Sequence, residues 1–365
     1  MRILVVNAGS SSLKLRVLGP GDAIDGTGDL AAPGGRLDDT AVGEAIHDFG
    51  PVDAVGHRIV HGGSRFRAPV RLDAGVVAGL EALVDLAPLH LPKSLTALRL
   101  VGRLLPDVPA VACFDTAFHA DLPAAASTYA LPREWRERWD LRRYGFHGLS
   151  HAYASRRAAE LAGRVIGDGF RVVTCHLGAG ASLAAVLDGR SVDTTMGFTP
   201  LEGLVMATRA GSVDPGLVLW LEEHVRMPPA ELAATLENRS GLLGLAGTAD
   251  MVAVLAGAEA GQPDHRLALD VYLHRLRASI AAMTASLGGL DALVFTGGVG
   301  ERAPAIRAGA ADGLGFLGVA LDPATNAAGP DDREIGAPGG AVRSFVIASR
   351  EDLEIARQVR TVLGA

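Results

Sequence analysis

The chain has 365 residues, with 34 lysines and arginines against 41 aspartates and glutamates and a formal net charge of −7. That length suggests roughly two domains with a core that needs no disulfide or metal staple, and the negative balance offers no basic field for nucleic acid. The two cysteines, Cys113 and Cys175, lie in apolar surroundings rather than at metal-ligand spacing, so a reduced, cytoplasmic setting is expected.

The opening apolar stretch, Ile3 to Val6, is too short for a signal-peptide core, and no later run reads as long enough to cross a bilayer, so no membrane partner is expected. Ile3 to Asn7 and Leu13 to Leu18 read as strands around the small-residue turn Ala8 to Ser12, a hairpin that opens the fold. Gly19 to Gly35, rich in Gly, Pro and Asp, reads as a surface loop. Helical periodicity is expected over Gly79 to Asp85, Leu95 to Leu105 and Ser150 to Ala162. Val172 to His176, the turn Leu177 to Ala181, and Ser182 to Leu187 then repeat the plan of the first hairpin. Leu267 to Leu287 is helical, Ala292 to Thr296 is a buried strand leading into Gly297-Gly298-Val299-Gly300, and a helix is expected from near Ala303. Ala327 to Gly340 reads as a loop, and Asp352 to Leu363 as a final helix. A duplicated strand, glycine turn, strand unit suggests two similarly built domains facing each other across a cleft.

Three small-residue loops, Asn7 to Lys14, His176 to Gly180 and Gly297 to Gly300, offer backbone N–H groups that suit phosphate. Each alone is as well read as an ordinary turn; three in one chain favour a nucleotide. Lysine occurs only at Lys14 and Lys93. Arg58 and Arg209 stand beside small residues, where a planar guanidinium can bind two oxygens of a carboxylate or phosphate, although a surface ion pair is the commoner use of arginine. Asp115 follows the apolar run Val108 to Cys113 and competes with the reading of a capping residue. His147 lies beside Phe146 and Gly148, within reach of a ligand or simply structural. The pairs His57/His61 and His147/His151 have helical spacing but lack the glutamate of a zinc hydrolase, so no zinc site is expected.

Taken together, NAGSSSLK, GHRIVHGG, LAPLH, FDTAFH, YGFHG, CHLGAGAS, MGFTPLEG, TRAGSVDP and FTGGVGE occur in one order, and that set resembles the acetate kinases over nearly the whole chain. The resemblance implies an α/β fold of two duplicated actin-like, ribonuclease H-like domains with mixed sheets flanked by helices, divided as 1–117 plus 353–365 and 118–352. It implies reversible transfer of the γ-phosphoryl group of ATP to acetate, with Mg²⁺ (or Mn²⁺) and ATP/ADP, in a homodimer. Carried over by motif, Asp115, His147 and Arg209 are catalytic. Arg58, Val60, Leu89, Phe146 and Pro200 bind the acyl substrate, and Asn7 and Glu351 hold the metal. Lys14, His176, Leu177, Gly178, Ala179, Gly180, Asp250, Gly298, Gly300 and Glu301 bind the nucleotide.

An acetate carboxylate is already ionised at neutral pH, so such a site has to align reactants and neutralise charge rather than supply a base. Asp115 is accordingly expected to be an orienting or metal-side group rather than a proton acceptor. The sequence departs from the family pattern at Ala179, Leu91 and Arg302, where asparagine is usual, and at Val252, where arginine is usual. The chain is also shorter than typical relatives between Leu18 and Pro51. A propionate or butyrate kinase, or a pyrophosphate-using variant, is the near alternative. A sugar kinase of this fold would usually carry an acidic residue where Asn7 stands, and an ATP-driven switch would have no need of paired arginines and an acyl pocket.

Overall fold

A computed structural model describes residues 1–9, 12–32, 35–88, 91–165, 167–329 and 331–364. The chain forms two compact units: Met1–Ala120 with Phe146–Tyr153 and Arg350–Ala365, and Asp121–Gly145 with Ala154–Ser349.

The first unit is built on a six-stranded mixed sheet of β1 (Ile3–Ala8), β2 (Ser12–Leu18), β3 (Ile24–Ala31), β4 (Ala54–Ile59), β5 (Val70–Arg71) and β6 (Ala110–Phe114), in the order β3-β2-β1-β4-β6-β5. β1 and β2 form the expected hairpin, with Asn7 opposite Lys14, while β1, β4 and β6 run parallel. The strand ILVV is apolar throughout because both of its faces are covered. Leu4 and Val6 meet Val42 and Ile46 of helix Asp39–Phe49 and Val101 of helix Leu91–Leu104; Ile3 and Val5 meet Ile355 and Val359 of the last helix, Glu351–Leu363. Gly56 lets that helix close in, since a Cβ there would stand 2.5 Å from Ile355.

The second unit repeats the plan with β7 (Arg171–Leu177), β8 (Ala181–Leu187), β9 (Arg190–Thr194), β10 (Ala292–Thr296), β11 (Arg333–Glu334) and β12 (Arg343–Val346), in the order β11-β12-β10-β7-β8-β9. Again a hairpin is followed by parallel neighbours: β7 and β8 are antiparallel, and β10 pairs in parallel with both β7 and β12. The duplicated hairpins and the mixed, helix-flanked sheets agree with the expectation from sequence.

Several details differ. Gly19 to Gly35 is not simply a loop, for it contains β3. Within β3, Gly26 and Gly28 mark a close approach rather than a turn, because a Cβ on Gly26 would come within 2.7 Å of the Phe49 ring and one on Gly28 within 3.3 Å. Ala327 to Gly340 contains β11, where Glu334 pairs with Arg343 of β12 at 2.6 Å. The helix after β10 begins at once, at Gly297, and a second starts at Pro304. The helix placed at Gly79 to Asp85 spans Ala74–Glu81, and Leu91, buried in the core, opens helix Leu91–Leu104. Gly241 to Glu259 does have the length and apolarity of a membrane span, contrary to the sequence reading, with mean hydropathy 1.6. The chain nevertheless breaks it into helices Gly241–Ala246 and Met251–Glu259, stopping the first at Gly247 (φ 71°) and capping the second with Asp250.

Candidate active site

In the first unit the parallel strands deliver their polar residues to one end of the sheet. Arg58, near the end of β4, donates from Nε to Asp115 Oδ1 at 3.1 Å and from Nη2 to Asp115 Oδ2 at 2.6 Å, a bidentate pair. Its Nη1 donates to Asn7 Oδ1 at 3.1 Å, and Asn7 Nδ2 donates to Glu351 Oε2 at 3.1 Å. Arg58 Nε also lies 3.6 Å from Glu351. Four residues separated by up to 344 positions are thus one network, in which Asp115 is 1% exposed. Burial would lower the Arg58 pKa, but the charges of Asp115 and Glu351 outweigh it and push it up, so the guanidinium stays charged. Burial pushes the Asp115 carboxyl up, Arg58 pulls it back, and Glu351 adds to the rise. Two donors on one carboxylate hold the couple as an ion pair.

His147 takes φ 57°, a left-handed conformation that L-residues adopt rarely and that clusters at functional positions. Both flanks enforce it. The Phe146 carbonyl meets His119 Nε2 at 3.1 Å, and Gly148 N donates to the Asp115 carbonyl at 2.9 Å. Gly148 admits no side chain, for a Cβ would come within 2.1 Å of that carbonyl oxygen. The backbone of Asp115 therefore fixes the turn carrying His147 while its side chain fixes Arg58. Phe146 is buried and meets His61 edge to face at 5.4 Å, and Val60 is buried nearby in sequence. Lys14 is exposed on β2 across from Asn7, and Leu89 lies outside the described residues.

In the second unit the glycine segments meet. Gly297 (φ 77°) lies against the backbone of Leu177, where a Cβ would come within 2.8 Å of the Leu177 oxygen. A Cβ on Gly178 would stand 4.0 Å from Gly298 N, and one on Gly298 would meet nothing within 4 Å. The turn after β7 and the loop after β10 thus adjoin, with Gly298 exposed. Gly178 N closes the turn on Gly180 O at 3.0 Å, and the Ala179 carbonyl accepts from Ala207 N at 3.1 Å, tying the turn to the segment that bears Arg209. That segment is held further by Leu242 N on Met206 O and Ser240 N on Thr208 O, both 2.9 Å. Arg209 Nη1 donates to Pro200 O at 3.3 Å, and Nε lies 4.0 Å from Glu237. Burial lowers the Arg209 pKa, opposed by Glu237.

Other expected residues are engaged locally. Glu301 accepts from Ser349 N through Oε1 at 2.9 Å, so one oxygen of its carboxylate is taken by the backbone. Asp250 accepts from Val252 N as a helix cap. Ala179 and Arg302 are exposed, and Val252 is 72% exposed. Two bracing groups were not read from the sequence. Glu202 accepts from Tyr129 at 2.5 Å and from Arg143 at 2.7 Å, and so holds the Met196 to Gly203 loop that carries Pro200. Arg307, wholly buried, reaches back to Gly300 and Glu301. Among the described residues no three His, Cys, Asp or Glu side chains cluster as a metal cage.

The sequence pattern of the Acetokinase family matches residues 36–357. An acetate kinase of Gloeobacter violaceus is 50% identical over 315 residues, covering 86% of this chain and 77% of that protein. Crystal structures of the Porphyromonas gingivalis acetate kinase and of a propionate kinase from Francisella tularensis each superpose with a TM-score of 0.91 at 33% identity, over 99% of both chains.

Proposed function

Because the chain belongs to the acetokinase family, we propose that it transfers the γ-phosphoryl group of ATP directly to acetate, giving acetyl phosphate and ADP, and runs the reverse reaction as well. The observation that carries this reading is the Arg58, Asp115, Asn7 and Glu351 network at the strand ends of the first unit. It presents a fixed cation beside hard oxygen donors, as a phosphoryl acceptor site requires.

In the transfer, a carboxylate oxygen of acetate forms the new bond to γ-phosphorus, the bond to the β,γ-bridging oxygen breaks, and ADP departs with that electron pair. No proton has to move, because the acceptor is already ionised. Arg58 and Arg209 bind the acetate and the migrating group, and His147 donates to the oxygens that gain charge. Asp115 acts as a positioning residue, since both its oxygens are occupied by Arg58. The resemblance assigns the methyl group of the acyl substrate to Val60 and Phe146 of the first unit and to Pro200 of the second. Lys14, His176 to Gly180, Asp250 and the Gly298 to Glu301 segment hold the nucleotide, the glycines by exposed backbone and Asp250 through the segment it caps.

Asn7 Nδ2 donates to Glu351 Oε2 at 3.1 Å, so an amide and a carboxylate lie side by side, and their oxygens Asn7 Oδ1 and Glu351 Oε1/Oε2 would be the ligands. That fits Mg²⁺, which takes one or two protein oxygens and completes its shell with phosphate and water. When bound, the ion neutralises charge on the β- and γ-phosphates. Two free, buried thiols, Cys113 and Cys175, support a cytoplasmic setting. The family supports a homodimer, and the exposed apolar side chains of Leu217, Leu219 and Trp220 are the surface on which to seek it.

Propionate is the second reading, favoured by the equal likeness to a propionate kinase structure. A hydroxylamine trap for acyl phosphate, run with acetate, propionate and butyrate against ATP, GTP and pyrophosphate, tests acceptor and donor together. Acetyl hydroxamate formed fastest with ATP is expected; no hydroxamate with any pair would end the proposal.

A further inference from the structure

Arg307 is 0% exposed and is the largest wholly buried side chain among the described residues, and none of their carboxylates pairs with it. An unpaired interior charge costs several kcal/mol unless donors and dipoles around it compensate. Here the compensation comes from carbonyls. Nη1 donates to Gly300 O at 2.8 Å and to Glu301 O at 2.9 Å; Nε donates to Asn326 Oδ1 at 2.7 Å, and Nη2 to the Asn326 carbonyl. Asn326, itself buried, donates from Nδ2 to Pro304 O at 3.1 Å.

The local sequence explains why a cation is needed. In an α-helix the Gly300 carbonyl would accept from residue 304, but Pro304 has no N–H. The helix Gly297–Arg302 therefore ends on an orphan carbonyl at its negative pole, and a guanidinium satisfies both the hydrogen bond and the dipole. The planar fork, with five donors in fixed directions, spans two separate segments at once, where an ammonium has three donors on one compact centre. The loop is thus pinned at both ends. Gly297 is pressed on Leu177 at one, Gly300 and Glu301 are held by Arg307 at the other, and Gly298 faces open space between them.

We infer that Arg307 is a positioning residue that sets the backbone of the Gly298 to Glu301 segment for the nucleotide, acting from the core without touching it. The inference rests on the reading of that segment as part of the nucleotide site.

The test is calorimetric titration of Mg²⁺-ADP into the full-length protein, with acetate KM measured alongside. Arg307→Met is expected to raise the ADP Kd tenfold or more and leave the acetate KM within twofold, and Arg307→Lys to fall between Met and wild type. Gly298→Val, whose side chain has room, serves as a probe of the loop itself. If Gly298→Val weakens ADP while Arg307→Met does not, Arg307 has no positioning role. If neither weakens it, the loop does not hold nucleotide and both readings fall. Equal loss for ADP and acetate marks Arg307 as merely structural and overturns the inference. Should Arg307→Met not fold, Arg307→Lys decides: a threefold or greater loss for ADP alone supports the role, and no change overturns it.

Discussion

The two sheets share one strand order, yet the ends of matching strands present different groups. By position β1 corresponds to β7, β4 to β10 and β6 to β12. In the first unit these strands end in Asn7, Arg58 and, just past β6, Asp115, and side chains make the site. In the second unit β7 runs into Gly178 to Gly180 and β10 into Gly297 and Gly298, and the backbone makes it. On the proposed reading, one scaffold supports a charge clamp whose specificity lies in side-chain geometry, and a cradle whose specificity lies in what is missing from Cα. The consequence is testable: the strand ends of the first unit should be most sensitive to removing atoms, and the glycine turns at the strand ends of the second to adding them.

Arg58→Ala is expected to have the largest effect. It should lower kcat by about 10³-fold or more, as loss of a transition-state charge clamp does. It should also destabilise the protein by about 3–5 kcal/mol, because Asp115, 1% exposed, is left as a buried charge without its partner. Arg209→Ala should cost a similar factor in kcat but little stability, as its nearest carboxylate is 4.0 Å away. Steady-state kinetics with urea unfolding separates the two. Asp115→Asn should slow turnover without moving the pH optimum, and a displaced optimum would mark Asp115 as a proton acceptor.

Arg58, Asp115 and His147 stand in motifs that the sequence displays, whereas Glu351 lies in none of them and enters only through the resemblance. What the letters hide is who holds whom. That Asp115 grips Arg58 with its side chain and fixes His147 through its backbone depends on three parallel strands meeting, and no local pattern encodes it. Glycine misled in both directions. In Gly26 and Gly28 it looked like a loop but serves a strand lying against Phe49, whereas at Gly297 the same residue type hid a helix that starts at once. Arg307 was overlooked although Pro304 carried the signal, a carbonyl at Gly300 without its helical donor.

Acid should part the units next. Burial depresses both His57 and His119 to about 4, the latter partly offset by its bond to the Phe146 carbonyl, and both belong to the first unit. The unfolded chain protonates these rings near the ordinary value of 6.5, the native one only near 4. Stability is therefore complete above pH 6.5 and is lost as pH falls from 6.5 towards 4, by roughly 3 kcal/mol for each histidine. Hydrogen exchange across that range should reveal the first unit opening before the second. His57→Gln and His119→Gln variants should flatten the pH dependence.

Adding atoms to the cradle is expected to cost less but to be sharply positional. Gly297→Ala places a Cβ at φ 77° against the Leu177 backbone at 2.8 Å and should destabilise by about 1–3 kcal/mol. Gly298→Ala, one residue on, meets no atom within 4 Å and should leave the melting temperature nearly unchanged while weakening ATP. Equal effects at the two positions would erase the distinction between a packed anchor and an open backbone face.

The smallest expected effect works in the opposite direction. Ala179 is exposed, its carbonyl is already committed to Ala207 N, and its side chain contributes no donor where the family usually has asparagine. The cradle therefore lacks a polar arm that backbone alone does not replace. Ala179→Asn should return one hydrogen bond to the phosphates, about 0.5–1.5 kcal/mol, and so lower the ATP KM by about two- to tenfold with acetate KM unmoved. An unchanged ATP KM would mean that backbone donors already saturate the phosphate oxygens, and the contrast between a side-chain clamp and a backbone cradle would then be complete rather than partial.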